Sequence, residues 1–322
     1  MSVTIDDIRA AETRIRPLIE RTAMVVSPSL SDLTDATVML KLEHRQITGS
    51  FKLRGATNAV AQLSPAQKAR GVAAASTGNH GRALAHAARK EGARAIICLS
   101  RLVPQNKVEE IGRLGAEARI IGESQDEAQV EVDRLVAEEG FASIPPFDHE
   151  DVIAGQGTLG LEIMEQVPEA GTVLVPLSGG GLAAGVAAAV KALRPACRVI
   201  GISMDRGAAM KASLDAGRPV EVEEVATLAD SLGGGVGLQN RLTFAMCREL
   251  LDEVVLLTEA EIAAGMRHAY MIEREIVEGA GAVGIAALLA GKARATGETV
   301  VLTTGRNVDM EQHRRVICGE IA

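Results

Sequence analysis

Aromatic residues are scarce in this chain, which has no tryptophan, four phenylalanines and a single tyrosine, Tyr270, among its 322 residues. The polypeptide's own absorption is therefore weak, and a bound chromophore would dominate its spectrum. Cysteines are also few, and the four that occur, Cys98, Cys197, Cys247 and Cys318, have neither CxxC nor metal-type spacing. Cysteines of this kind are usually small buried hydrophobes, so we expect neither disulfides nor a zinc site.

Long apolar runs and an excess of positive charge are absent as well. No stretch reaches the length of a membrane span, and the first residues lack the basic region and apolar core of a targeting signal. The 34 basic and 42 acidic residues give a net charge of −8, which offers no basic field to nucleic acid or to an anionic membrane. We therefore expect a soluble, cytoplasmic protein that acts on a small molecule.

Short β-branched runs alternate with longer helical patterns along the chain. Strands are predicted near 37–43, 71–75, 94–99, 117–121, 172–177, 198–203, 254–257 and 299–303, with helices over 81–89, 125–138 and 183–193 among those between them. This βαβ rhythm is typical of parallel sheets covered by helices on both faces. The length and the 47% apolar content suffice for two lobes, and residues 145–148 are the best candidate crossing point.

One lysine stands at a position that favours reactivity. Lys52 follows the strand-like run 38–43 and falls in what the sequence predicts to be the first turn of a helix, with Ser50 as the N-cap. The positive end of the helix dipole disfavours an ammonium group there. A neutral amine is a nucleophile toward aldehydes, although lysines near helix starts are more often simply solvated.

A glycine loop joins an apolar strand to an alanine-rich helix. Residues 178–182 read Ser-Gly-Gly-Gly-Leu, and glycines at a helix start let backbone N–H groups approach a phosphate. A dinucleotide fingerprint is the alternative, because Gly179, Gly181 and Ala184 match GxGxxA and Asp205 lies at the end of the next strand. A tight turn that only packs a helix on a sheet is a third interpretation.

A second strand-to-helix junction has the features of an anion site. Residues 76–81 read Ser-Thr-Gly-Asn-His-Gly, and their hydroxyls, amide and N–H groups suit a carboxylate held beside a ring hydroxyl. His80 alone is more often a structural histidine than a catalytic one. The segment as a whole therefore carries the prediction.

Six ordered segments together resemble the pyridoxal-phosphate enzymes of fold type II, specifically the threonine dehydratase and serine racemase group. These segments are 48–56, 76–81, 152–158, 178–182, 278–282 and 304–307, so the resemblance spans nearly the whole chain. It implies a two-domain α/β fold like that of the tryptophan synthase β subunit. A small domain, 71–147, would be inserted into a large cofactor-binding domain formed by 1–70 and 148–322, and a homodimer is the family expectation.

The resemblance also implies roles for individual residues. Lys52 would bind pyridoxal phosphate covalently, Phe51 would pack against its ring and Asn79 would bond its ring hydroxyl. Thr304 would face the pyridine nitrogen, and Glu278 would contact the cofactor. The phosphate would lie on Ser178, Gly179, Gly180, Gly181 and Leu182, and the substrate carboxylate would meet Ser76, Thr77, Gly78, Asn79 and His80.

The residue matched to the pyridine nitrogen indicates the reaction. A threonine hydroxyl cannot stabilise a protonated pyridine as a carboxylate does, so the ring becomes a weaker electron sink. Loss of a β-substituent is then favoured over transamination. We expect Lys52 to remove the Cα proton while the cofactor phosphate assists departure of the β-hydroxyl, giving a keto acid and ammonia. Thr77 matches a serine that reprotonates Cα in racemising relatives, so we expect racemisation at most as a minor side activity.

Several departures from the family pattern bear on the substrate. Arg306 replaces a glycine beside Thr304, and if it, Arg82 or Arg241 pointed inward it would pair with a second carboxylate. That would favour 3-hydroxyaspartate over threonine or serine. Residues 229–231 read Ala-Asp-Ser instead of Ala-Asp-Gly, which also resembles the hydroxyectoine-utilisation dehydratases. Ser203 and Ala209 replace the carboxylates of metal-dependent relatives, so no metal site is expected.

Two other classes of function stay open at this level. A nicotinamide-dependent oxidoreductase would use the glycine loop for a dinucleotide and would not need Lys52 to retain its cofactor. A non-catalytic amino-acid sensor on the same fold would bind its ligand without turnover.

Overall fold

The computed structural model describes residues 3–76, 78–101, 103, 105–123 and 125–321, which form two separate parallel sheets. The larger sheet has the order β1-β2-β10-β7-β8-β9, and its strands are β1 Met24–Val26, β2 Val38–Lys41, β7 Ala170–Pro176, β8 Arg198–Met204, β9 Glu253–Leu257 and β10 Glu298–Leu302. Only β1 pairs antiparallel, with β2. The smaller, all-parallel sheet has the order β5-β4-β3-β6, with β3 Val72–Ala75, β4 Ala95–Leu99, β5 Glu117–Ile120 and β6 Ala142–Ser143.

Helices connect and cover these strands. They are α1 Ile5–Ile15, α2 Pro28–Thr34, α3 Lys52–Ala61, α4 Pro65–Arg70, α5 Asn79–Lys90, α6 Gln105–Arg113, α7 Gln125–Arg134, α8 Glu150–Gln166, α9 Gly181–Leu193, α10 Ala209–Ala216, α11 Thr243–Leu250, α12 Glu259–Met271, α13 Gly279–Leu289 and α14 Met310–Ile317. Within the described residues, no helix is both long enough and apolar enough to cross a bilayer.

The larger sheet is buried on both faces because successive side chains along a strand point to opposite sides. Val173 and Val175 of β7 lie in one core cluster with residues of α1, α8 and α9, whereas Leu174 lies in the cluster formed with α2, α12 and α13. This arrangement confirms the predicted α/β fold with parallel sheets covered by helices. All eight predicted strands are present, while the two- and three-residue strands β6 and β1 were not predicted.

Helix α3 packs in the core of the smaller sheet although it follows a strand of the larger one. Leu53, Ala56 and Val60 share a core cluster with residues of β3, β4 and α5. The lysine that begins α3 is therefore held by the smaller sheet's core. The exact domain boundaries, 71–147 for the small domain, stay a prediction.

The predicted N-cap of α3 is wrong. The helix begins at Lys52 after Phe51, with no side-chain hydrogen bond at its cap. Ser50 instead pairs with Gly305 in a β-bridge, and its buried Oγ has no hydrogen-bond partner among the described residues. The bridge draws the serine away from the helix, so its hydroxyl does not cap the first-turn N–H groups.

Candidate active site

The pocket that contains Lys52 lies where the carboxyl ends of β7 and β10 meet. Since ligands of open α/β sheets bind at that edge, the loops after these strands are where a site is expected. The pocket is lined by Phe51, Lys52, Asn79, Phe147, Pro176, Ser178, Gly179, Gly180, Gly181, Leu182, Ser231, Leu232, Glu278, Ala280 and Thr304. It thus brings together every residue that was predicted to contact the cofactor.

Lys52 has the electrostatics of a nucleophilic amine. Its Nζ donates to the carbonyl of Pro146 at 2.8 Å and lies 5.4 Å from the ring centroid of Phe51. Burial lowers the pKa of Lys52 to about 8, against the opposing effect of the Glu278 charge. The residue keeps some exposure because it lines the pocket, but surrounding protein atoms replace most of the water around the amine. Desolvation, more than the helix dipole, therefore favours the neutral form.

The glycine loop has no room for side chains. Gly180 has φ +89°, and a Cβ on Gly179 would lie 2.4 Å from the ring of Phe147. A Cβ on Gly181 would meet the Phe147 backbone at 2.9 Å. With no side chains in the way, the N–H groups at the start of α9 face the pocket as an anion site.

Asn79 is held in a polar network at the other side of the pocket. Its Nδ2 donates to Glu278 Oε1 at 2.7 Å, and Ser231 Oγ lies 3.4 Å away. Its Oδ1 accepts from Asn307 Nδ2 at 2.6 Å, and the Asn307 backbone N–H donates to Glu278 Oε2 at 3.0 Å. The sequence did not identify Asn307 as a site residue, because its contacts join segments more than two hundred residues apart.

The loop predicted to receive a carboxylate lies beside the pocket. Ser76 Oγ accepts the N–H of Gly81 at 3.0 Å, and Gly78 precedes the first residue of α5. His80 is buried with a ring nitrogen 2.7 Å from the Ile144 carbonyl. Burial and the nearby Lys52 charge lower the pKa of His80 to about 3, so its ring is neutral and structural. Thr77, predicted to be catalytic, lies outside the described residues.

The three arginines considered for a second carboxylate occupy different places. Arg306 is exposed, and its backbone N–H donates to Gly49 O at 2.9 Å. Arg241 is exposed and its backbone N–H donates to Asp148. Arg82 is one-fifth exposed, with Nη1 3.0 Å from Asn307 Oδ1. Of the described residues that line the pocket, none is an arginine.

Phe147 is the clearest pocket residue that the sequence did not assign to the site. Its ring and backbone lie against Gly179 and Gly181. The sequence indicated only that residues 145–148 cross between lobes. The Pro-Pro-Phe segment could have predicted Phe147 as a pocket residue, because a segment that crosses between two lobes passes beside the cleft between them.

The residues fit pyridoxal phosphate. Lys52 offers an amine with a pKa of about 8, the glycine loop offers a cradle that a Cβ would fill, and Phe51 offers a ring face. Thr304, which is buried at the pocket wall, offers a hydroxyl. An aldehyde, a phosphate and an aromatic ring therefore each find a suitable partner in one pocket.

Known proteins of similar sequence and structure agree with this chemistry. The chain is 64% identical over 321 residues to a protein of Sinorhizobium fredii provisionally named a threonine dehydratase, covering 99% of this chain and 97% of the relative. It is 40% identical to the L-threonine ammonia-lyase of Thermotoga maritima, covering 98% and 78%. The structure of maize serine racemase superposes with a TM-score of 0.92 at 33% identity, covering 99% of this chain and 98% of the other.

These findings confirm the predicted fold type, the cofactor and the lyase class, and they decide against the dinucleotide alternative. Residues 15–305 match the family described as pyridoxal-phosphate dependent enzymes. That match includes both sheets and every residue that lines the pocket, from Phe51 to Thr304. The chain belongs to the family of pyridoxal-phosphate dependent enzymes.

Proposed function

We propose that this enzyme removes water from a β-hydroxy-α-amino acid of the threonine or serine type, giving a keto acid and ammonia. The observation that carries the proposal is the pairing, in one pocket, of a lysine whose pKa is about 8 with a buried threonine in place of an acid. Such a lysine can act as a base near neutral pH, and the threonine keeps the electron sink weak. The names of the relatives support elimination as the reaction.

Each side chain has a role in this scheme. Pyridoxal phosphate, when bound, supplies an aldehyde for the substrate amine and a ring that accepts electron density. The substrate amine would replace the Nζ of Lys52 on the cofactor aldehyde, and the freed Nζ would then accept the Cα proton. The N–H groups of 178–182 would hold the phosphate, Phe51 would pack on the ring, and Thr304 would face the ring nitrogen. Asn79 and Glu278 would contact the cofactor near its ring hydroxyl.

The loop 76–80 positions the substrate by its carboxylate. N–H groups near the start of α5 and the hydroxyl of Ser76 provide donors for it. His80 of the same loop is close enough to Lys52 for the lysine charge to lower its pKa. Thr77 in the same loop supplies a hydroxyl that can return a proton to Cα, which makes racemisation a minor side reaction. Closure of the small domain, 71–147, over the substrate would exclude water from these groups.

The pocket favours a substrate with one carboxylate. A second carboxylate would need a cation, and the described lining residues supply Lys52 as a cation but no arginine. Arg306 is exposed, so its assignment to the substrate gains no support from its position. Threonine and serine are therefore preferred over 3-hydroxyaspartate, and over any hydroxyectoine-derived substrate that carries a second carboxylate.

The first experiment follows the cofactor and the product together. The purified protein is mixed with pyridoxal phosphate, its visible spectrum is recorded before and after borohydride, and the reduced adduct is mapped by mass spectrometry. Keto acid and ammonia are then assayed with L- and D-threonine, L- and D-serine and 3-hydroxyaspartate. We expect a reducible band on Lys52 and turnover of threonine or serine.

Lys52→Ala is the decisive variant and Lys211→Ala, a surface lysine paired with Asp215, is its matched control. We expect the first to lose the band and the activity and the second to keep both. A reducible band with no product from any substrate would favour the amino-acid sensor. Faster turnover of 3-hydroxyaspartate than of threonine and serine would contradict the proposed substrate class.

Assembly and location are part of the same proposal. We propose a homodimer, as the family resemblance implies, in the cytoplasm, and light scattering after gel filtration tests the dimer. A monomer of 33.7 kDa that is fully active would contradict it.

A further inference from the structure

A directed chain of hydrogen bonds runs along one side of the pocket. Arg82 Nη1 donates to Asn307 Oδ1 at 3.0 Å, Asn307 Nδ2 donates to Asn79 Oδ1 at 2.6 Å, and Asn79 Nδ2 donates to Glu278 Oε1 at 2.7 Å. The Asn307 backbone N–H also donates to the same glutamate, to Glu278 Oε2 at 3.0 Å. Two side-chain amides thus lie between an arginine and a glutamate.

The chemistry of the two ends fixes the direction of both amides. An amide can turn over, since its oxygen and nitrogen ends have nearly the same shape. Arginine, however, has only donors, and an ionised carboxylate has only acceptors. The side-chain oxygen of Asn307 therefore accepts from Arg82, and the Asn307 NH2 group donates to the oxygen of Asn79. The Asn79 NH2 group then donates to Glu278.

This direction decides which end of Asn79 the pocket meets. The Asn79 NH2 group faces Glu278 and Ser231, which both line the pocket. The Asn79 oxygen is used by Asn307, which is not among the lining residues. Glu278 accepts one N–H of this group, and the second N–H, with Ser231 Oγ 3.4 Å away, is the donor that suits an acceptor oxygen on a ligand in the pocket.

Asn307 also connects this chain to the segment that leads into Lys52. Its Nδ2 donates to Thr48 O at 3.0 Å, and its Oδ1 lies 2.5 Å from where a Cβ on Gly49 would be. Gly49 has φ +79°, so a side chain there would be strained as well as crowded. The side-chain amide of Asn307 therefore contacts the loop before Lys52 and the start of α5, and its backbone N–H contacts the cap of α13.

We propose that Asn307 is a positioning residue, oriented by Arg82, that holds the Asn79 amide with its NH2 end, and so one N–H donor, toward the ring oxygen of bound pyridoxal phosphate. The proposal rests on the proposed function, because it concerns the same cofactor. A donor at the ring oxygen favours the ionised form of that oxygen and strengthens cofactor binding. Arg82 acts here through an amide and not on a substrate carboxylate.

The test uses variants that change hydrogen-bonding direction with little change of shape. Asn307→Asp can still accept from Arg82 but cannot donate to Asn79, so the Asn79 amide would turn over. Arg82→Gln can either donate or accept, whereas Arg82→Lys can only donate. Arg113→Gln is the matched control, because Arg113 pairs with the same Glu110 that faces Arg82 but lies outside the chain.

Two properties are measured for each protein: the dissociation constant of pyridoxal phosphate from the apoprotein, and the pH midpoint of the visible band of the loaded protein. For Asn307→Asp we expect binding at least about tenfold weaker, the size of one hydrogen bond to a charged group, with the midpoint moved to higher pH. We expect Arg82→Gln to shift both in the same direction by less, and Arg82→Lys to restore them. A merely structural role would lower the thermal midpoint without moving the pH midpoint.

The outcomes separate this inference from the function it rests on. If the native protein gives no visible band with pyridoxal phosphate, the proposed function fails. If the native protein binds it and Asn307→Asp has the native pH midpoint, only the role of Asn307 is overturned. Should Asn307→Asp not fold, the arginine series decides: Arg82→Gln indistinguishable from Arg113→Gln would overturn the proposal.

Discussion

At the scale of single residues, Lys52 shows that reactivity costs stability. Burial lowers its pKa from 10.5 to about 8, so at neutral pH the folded chain holds a charged amine in a place that disfavours the charge. The unfolded chain binds this proton up to its own, higher pKa. The free energy of unfolding is therefore reduced as pH falls from about 10.5 to about 8, and the full penalty is present below pH 8.

Lys52→Met is expected to stabilise the apoprotein. At pH 7 the free energy of unfolding should rise by about 1–3 kcal/mol, because the variant buries an unbranched apolar side chain in place of the amine. The gain should shrink toward pH 10, where the folded native protein no longer carries the charge. Urea unfolding of both apoproteins at the two pH values measures this, and equal stability at pH 7 would mean that water reaches the amine freely.

Four charged side chains around Arg54 of α3 present the opposite case, since they are paired and almost inaccessible to solvent. Lys41 Nζ lies 2.7 Å from Glu162 Oε2, Arg54 Nη1 lies 2.8 Å from Glu162 Oε1, and Arg54 also forms two bonds of 2.7 Å with Glu43. The side chains of Lys41, Arg54 and Glu43 are fully buried. Removing one carboxylate would leave buried cations short of a partner.

Glu162→Gln should lower the free energy of unfolding by about 3 kcal/mol, the cost of breaking a buried ion pair from one side. Asp215→Asn, which breaks the exposed pair with Lys211, is the control and should cost less than about 1 kcal/mol. Urea unfolding at pH 7 compares them. Similar losses in the two variants would show that Lys41 and Arg54 find other partners when the carboxylate is gone.

At the scale of elements, the glycine loop before α9 combines backbone strain with crowding. Gly180 has φ +89°, and a Cβ there would lie 2.8 Å from Met210 Cε and 3.0 Å from Thr243 Cβ. Gly234 has the same φ of +89° with nothing within 4 Å of its Cβ position. The two glycines therefore separate the cost of the left-handed conformation from the cost of the close packing.

Gly180→Ala should lower the free energy of unfolding more than Gly234→Ala does. We expect about 1 kcal/mol for Gly234→Ala, from strain alone, and at least about 2 kcal/mol for Gly180→Ala, from strain plus overpacking. Gly180→Ala should also retain pyridoxal phosphate poorly on gel filtration, while Gly234→Ala retains it. Equal losses in the two variants would mean that α11 and Met210 move aside without cost.

Elements also show how far the sequence could predict this protein. Strands such as β7 and the glycine loop after it were predicted because their pattern is local, with an apolar run followed directly by glycines. The three-residue edge strand β1 was missed, since so short a run has no readable period. Ser50 had the local pattern of an N-cap, but its bridge to Gly305, far along the chain, takes precedence. Contacts such as Asn307 with Asn79 cannot be read from spacing.

At the scale of the whole molecule, helix α8 joins the two cores, and α3 of the smaller core packs against it. Val152 of α8 lies in the core cluster of the smaller sheet, and its neighbour Ile153 lies in a cluster of the larger sheet. Leu53 of α3, the neighbour of Lys52, packs in the smaller core. The glycine loop follows β7 of the larger sheet. The cofactor site therefore depends on both cores, and each core depends on α8, which they share.

Weakening either core should release the cofactor and unfold the chain at one temperature. Ile97→Ala in β4 and Ile285→Ala in α13 each truncate a fully buried side chain, one in each lobe, at a cost of about 2–5 kcal/mol. We expect the visible cofactor band and the far-ultraviolet dichroism to be lost at the same midpoint in each variant, lower than in the native protein. If Ile97→Ala lost its visible band well before its dichroism, the smaller lobe would unfold alone, and α3 and α8 would not couple the two cores.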